Sequence, residues 1–221
     1  MPDLHHNAPM SGLAYFISPE SGPGPGVLLM HSWWGLNRFT KRLADRLADE
    51  GFTVLAPDLF QGALPDTEAT AEATLRAADP NYLASATLSA AGVLHRQSAH
   101  IQVIGLGMGG SLGLWASVRL PTMVTAVVSL YGAQNIDFAG SRATYQVHLA
   151  AHDPWLPRDD ASFMEATIGL AGLAVEVFDY PGTAHGFFEE GRTHDPEAAL
   201  LAWDRMLRFL REGLAQPAGE N

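Results

Sequence analysis

The sequence predicts a single α/β domain over residues 1–221, a mostly parallel central sheet with helices on both faces. Two observations predict it. Short apolar runs alternate with segments whose apolar residues recur at helical spacing. A glycine-rich turn from Gly105 to Gly110 also joins one apolar run directly to such a segment. A chain of 221 residues with neither repeats nor an internal linker suits one domain, which would bury roughly three quarters of its unfolded surface.

The elements follow in order. Ser18 to Gly26 is rich in Pro and Gly and reads as a turn between strands. Val27 to His31 is a buried strand. Arg38 to Glu50 carries Phe39, Leu43 and Leu47 on one helical face, with Gly51 as its cap. Thr53 to Ala56 is a strand closed by Pro57-Asp58, and Thr67 to Ala78 and Tyr82 to Leu94 are helices. Ile101 to Ile104 is a strand and Ser111 to Arg119 a helix. Val124 to Tyr131, Gln146 to Ala150 and Ala174 to Phe178 are strands, with Pro157 to Gly169 and Pro196 to Leu214 helical. The polar tail, Ala215 to Asn221, is expected to fray. In such sheets chemistry gathers at the carboxyl ends of the strands, so the informative loops follow His31, Ile104, Ala150 and Phe178.

Composition narrows the function. The net charge is −11 and only 13 Lys and Arg are spread along the chain, which argues against nucleic acid and anionic membranes as partners. No apolar stretch is long enough to span a bilayer, and Met1 to Ser18 lacks the layout of a signal peptide. The chain has no cysteine, which excludes disulfides, thiolate metal sites and a cysteine nucleophile, and fits a reducing cytoplasm.

The segment QVIGLGMGG, Gln102 to Gly110, fits two kinds of strand–turn–helix. One is the dinucleotide fingerprint, using Gly105, Gly107 and Gly110, which would make this a nucleotide-binding protein. The other is the nucleophile elbow G-x-S-x-G, using Gly105, position 107 and Gly109. A dinucleotide site normally has an acid at the end of the next strand, and that strand ends Ser129-Leu130-Tyr131-Gly132. The elbow requires an acid and then a histidine downstream. Asp153 follows one strand in LAAHDPWLP, and His185 follows the next in YPGTAHGFF. Singly each is an ordinary loop residue; their joint order favours the elbow.

These motifs, with VLLMHSWWGLN (Val27 to Asn37) and GFTVLAPDLFQG (Gly51 to Gly62), resemble the dienelactone hydrolase family from about Leu13 to Leu214. The resemblance implies an α/β-hydrolase fold with no lid domain. It also implies a Cys or Ser at the elbow, activated by His185 with Asp153 behind it, attacking an ester or lactone carbonyl. The oxyanion hole would be the amides of Met108 and Trp33. Two residues depart from the family: Gly107 has no side chain where the nucleophile stands, and Ser32 occupies a position where the strict members carry Glu.

The expected ligand is therefore a small ester, lactone or other carbonyl compound, with covalent acyl transfer weak or lost. Two active alternatives remain: Ser32 as a displaced nucleophile, or water activated by the His185–Asp153 pair. Ser111, one turn into its helix, is expected to aim away from the cleft. Trp34, Trp155 and Phe187 are candidate substrate-binding residues, Phe187 and Phe188 also being readable as core. His148, His152 and Asp153 invite a metal reading, but along an extended strand the two imidazoles stand more than about 10 Å apart, so neither metal nor cofactor is expected. His5-His6 reads as an inert tail, and Arg192 and His194 as solvated surface.

Overall fold

A computed structural model describes residues 14–191 and 193–215. The expectations for His5, His6, Arg192 and the tail after Ala215 lie outside those residues.

Seven strands form one sheet in the order β1-β3-β2-β4-β5-β6-β7. They are β1 (Ala14–Ile17), β2 (Gly26–Met30), β3 (Thr53–Pro57), β4 (Ile101–Leu106), β5 (Val124–Leu130), β6 (Thr144–His152) and β7 (Val175–Ala184). Only β1 runs antiparallel, against β3; the other pairs are parallel. The helices are α1 (Arg38–Asp49), α2 (Glu68–Ala77), α3 (Pro80–His95), α4 (Met108–Arg119), α5 (Arg158–Leu170) and α6 (Pro196–Ala215).

Successive strand residues face opposite sides of the sheet, so β2 feeds two cores. Val27 and Leu29 pack with Leu43 and Leu47 of α1 and Trp203, Met206 and Leu210 of α6. Leu28 and Met30 pack on the other face with Leu94 of α3, Leu114 of α4 and Met164 and Ile168 of α5. Strands buried on both faces are continuous apolar runs, which is why β2 and β4 are conspicuous in the sequence. From β2 the chain crosses to β3 on one side and returns to β4 on the other. The crevice between β2 and β4 is therefore a topological switch point.

Helix starts are locally encoded. The Asn37 side chain accepts the Thr40 amide at 3.0 Å, and Thr67 and Thr70 form a reciprocal capping box on α2. Two elements depart from expectation. α4 begins at Met108, not Ser111, because tertiary packing overrides the poor helix propensity of Gly109 and Gly110. β7 runs past Phe178 to Ala184, through Pro181 and Gly182, with a register shift against β6. An edge strand tolerates Pro because the missing N–H faces no partner.

Two buried histidines are held neutral. His31 donates from Nδ1 to the Ser32 carbonyl (2.7 Å) and accepts the Leu59 amide on Nε2 (2.9 Å). His148 donates from Nε2 to Gln146 Oε1 (2.9 Å) and accepts the Tyr180 hydroxyl on Nδ1 (2.7 Å). Burial pushes His31 down to about 4; burial, reinforced by the charge of Arg205, pushes His148 down to about 3. Unfolding lets both titrate near 6.5, so the unfolded state binds more protons between that value and the folded ones. Stability is thus highest above pH 6.5 and is lost as pH falls. Urea melts at pH 7 and pH 4.5 should differ by on the order of 3–5 kcal/mol from these two groups. In NMR titrations of the native protein, neither imidazole should change state between pH 8 and 5.

Candidate active site

β4 delivers the chain into a tight turn at Gly107, and α4 starts one residue later. Gly107 has φ 53° and ψ −115°, a conformation that L side chains rarely adopt. Its amide donates to the Leu130 carbonyl (2.9 Å), and its carbonyl accepts the Ser111 amide (3.1 Å). Around the turn the backbones approach closely. A Cβ on Gly109 would lie 2.3 Å from the Met30 carbonyl oxygen and 2.6 Å from that of His31. Position 107 is different: a Cβ there would meet His185 Nε2 at 3.6 Å, an ordinary van der Waals distance.

His185 stands directly after β7, and Asp153 directly after β6. The imidazole donates from Nδ1 to Asp153 Oδ2 at 2.8 Å. The other carboxylate oxygen, Oδ1, accepts the amides of Trp155 and Leu156, both at 2.9 Å. The Asp153 side chain is 4% exposed and that of His185 16%. The acid thus fixes the tautomer and leaves Nε2 as a free base directed at the turn. This pair can accept a proton from a hydroxyl or a water placed between Nε2 and Gly107.

Ser32 shares a cavity with Gly107 and His185, and its hydroxyl is already engaged. It donates to Glu189 Oε2 at 2.6 Å, and the Tyr131 hydroxyl donates to Glu189 Oε1 at 2.9 Å. All three side chains are buried. Burial pushes the Glu189 carboxyl above its ordinary value, against the pull of the two hydroxyls and of His185. Burial and the neighbouring Glu189 hold the Tyr131 phenol well above 10, so it remains a donor. Tyr131 has φ 44°, one of two non-glycine residues with positive φ among those described. Its ring packs 4.8 Å from that of His185.

A cavity of about 590 Å³ opens at Gly107 and His185, with apolar walls from Trp33, Leu75, Met108, Leu156 and Phe163. A second, of about 770 Å³, also reaches His185 and is lined by Trp34, Phe39 and Leu64. Trp33 and Trp155 border both cavities, and their rings meet edge to face at 4.8 Å. Trp34 therefore faces the second chamber.

Two expectations need correction. Phe187 is fully buried against Tyr131 and Tyr180, so it belongs to the core and lines neither chamber. Ser111, one turn into α4, does line the first cavity, but its hydroxyl donates to the Ala133 carbonyl at 2.7 Å. Both nitrogens of His148 are engaged in the core, which leaves it no lone pair for a metal. Nor do the described residues include a group of three or more His, Asp or Glu side chains spaced to hold an ion. At the end of β5, where a nucleotide site would carry an acid, stands Tyr131. Sequence reasoning missed Glu189 and Tyr131. The one local sign was a carboxylate in the apolar run His185-Gly-Phe-Phe-Glu189.

The model of the dienelactone hydrolase family matches residues 13–214. The chain belongs to that family. Among relatives, it is 29% identical over 216 residues to "Protein usf" of Aquifex pyrophilus, covering 90% of this chain and 93% of that one. Among solved structures, it resembles a dienelactone hydrolase-like promiscuous phosphotriesterase from metagenomic libraries, with TM-score 0.81 and 23% identity, covering 90% and 91% of the two chains. It also resembles the dienelactone hydrolase of Anabaena variabilis, with TM-score 0.65 and 18% identity over 90% of each chain. The fold is that of the α/β-hydrolases.

Within this family fold the two central glycines should respond differently to substitution. Gly107→Ser meets no overlap but must hold a left-handed backbone, which costs about 1–3 kcal/mol. Gly109→Ala drives a methyl into two backbone carbonyls and should cost more than about 4 kcal/mol or prevent folding. Urea denaturation of the two variants checks the contrast.

Proposed function

We propose that this family member binds a small ester, lactone or related carbonyl compound beside His185, and that hydrolysis, now slow, proceeds through water with no acyl-enzyme. One observation carries the reading. His185 Nε2 faces a turn without a side chain, while the hydroxyls of Ser32 and Ser111 are committed to Glu189 and to the Ala133 carbonyl.

In this reading a water between Nε2 and Gly107 gives a proton to His185 as its oxygen bonds to the carbonyl carbon. The amides of Met108 and Trp33 receive the oxyanion; the first-turn amide of α4 has no intrahelical acceptor. The tetrahedral intermediate collapses, the C–O bond to the leaving group breaks, and the departing oxygen takes the proton back from His185. Asp153 steadies the imidazolium throughout. General-base catalysis of this kind supplies about 10²–10⁴ in rate, well below a complete triad. Among the described residues no helix is long and apolar enough to cross a membrane. On its cysteine-free composition we place the protein in the cytoplasm.

Stopped-flow hydrolysis of p-nitrophenyl acetate tests the reading. The wild type should show a slow steady rate with no burst, and His185→Ala should abolish it. Gly107→Ser, which sets a hydroxyl beside Nε2, should raise the rate about a hundredfold or more and introduce a burst. A burst or a trapped acyl adduct in the wild type would overturn the proposal.

A further inference from the structure

Glu189 takes no part in the mechanism above, yet it is a buried carboxylate beside the site. Both its oxygens accept hydroxyls, from Ser32 after β2 and Tyr131 after β5. Among the described residues no Lys or Arg pairs with it. An ionised carboxylate without a fixed counter-ion is costly to bury, and hydroxyl donors offset only part of that cost. The group nearby that acquires positive charge during hydrolysis is His185. It borders the same chamber as Glu189 and lies four residues from it along the chain. Tyr131 binds Glu189 through its hydroxyl while its ring packs on His185, and it does so from a left-handed backbone conformation that such a residue normally avoids.

We propose that Glu189 is a second carboxylate of the site, a buried negative charge held by the Ser32 and Tyr131 hydroxyls that stabilises the imidazolium of His185. It acts through His185 and is therefore a positioning residue. Asp153 holds Nδ1 directly, and Glu189 contributes through the field of a poorly solvated charge, which is strong where water is excluded. The other charged groups on the two chambers lie toward solvent. Glu72 pairs with Arg76 and Glu190 with Arg42, while Asp66, Glu68 and Asp160 are exposed. Their fields at the imidazole are screened.

The inference rests on the reading that His185 takes up a proton, but its test does not need turnover. The protonation midpoint of His185 is followed by NMR on protein labelled with ¹⁵N at histidine. Glu189→Gln keeps the size of the side chain and removes the charge. It should lower the midpoint by about one unit, a tenfold loss of proton affinity. Asp153→Asn serves as the positive control and should lower it as well. A Glu189→Gln midpoint within about 0.2 units of wild type, with Asp153→Asn shifted, would overturn the role of Glu189 and leave the hydrolysis reading standing. A burst in the wild-type ester assay would do the reverse. Should Glu189→Gln fail to fold, the Ser32→Ala, Tyr131→Phe double variant replaces it. Loss of both donors pushes the carboxyl toward its neutral form, so the His185 midpoint should again fall. A wild-type midpoint in that variant would equally refute the proposal.

Discussion

The close approach of backbones beneath the elbow is the constraint on which the site depends. Gly109 packs against the carbonyls of Met30 and His31, and a Cβ on Gly132 would lie 2.3 Å from the Gly107 carbonyl oxygen. With no side chains in the way, the start of α4, the end of β2 and the end of β5 converge within backbone contact. That convergence brings the start of α4, the loop carrying Trp33 and the imidazole after β7 onto one cavity. The hydrogen bonds that orient His185 and Asp153 refine an arrangement that steric fit has already produced.

Onto this frame the chain adds polar groups that a stability-driven core would omit. His31, Glu189, Ser32 and Tyr131 are buried together around the loop after β2 and the elbow. Each is satisfied by a specific partner, and together they join the β2 loop, the β5 terminus and the histidine loop. Such networks fix a unique arrangement at some expense in stability, because losing one member leaves its partner desolvated and unpaired. They gather at the carboxyl ends of β2 and β5, where ligands bind in sheets of this kind.

The fold was largely legible because its signals are local. Apolar runs such as Val27 to Met30, helical spacing such as Phe39, Leu43 and Leu47, and the glycines at 105, 107 and 109 are all visible within a few residues. Asp153 and His185 were legible by their order and by the strands they follow. What stayed hidden depends on tertiary placement. Pro181 and Gly182 read as a strand end, and only the edge position of β7 permits them. Gly109 and Gly110 concealed the true start of α4. The Ser32–Glu189 contact joins residues 157 apart in sequence, and no spacing rule links them. Phe187 next to His185 suggested a cleft wall, whereas the turn after β7 sends it inward.

The space beside Gly107 has a consequence in the genetic code. No atom intrudes on the β-carbon position, and His185, held by Asp153, faces it. A glycine codon ending in a pyrimidine lies one base from serine and one from cysteine. Any such codon at this position would leave a hydroxyl or a thiol a single nucleotide away, in a space that accepts its β-carbon.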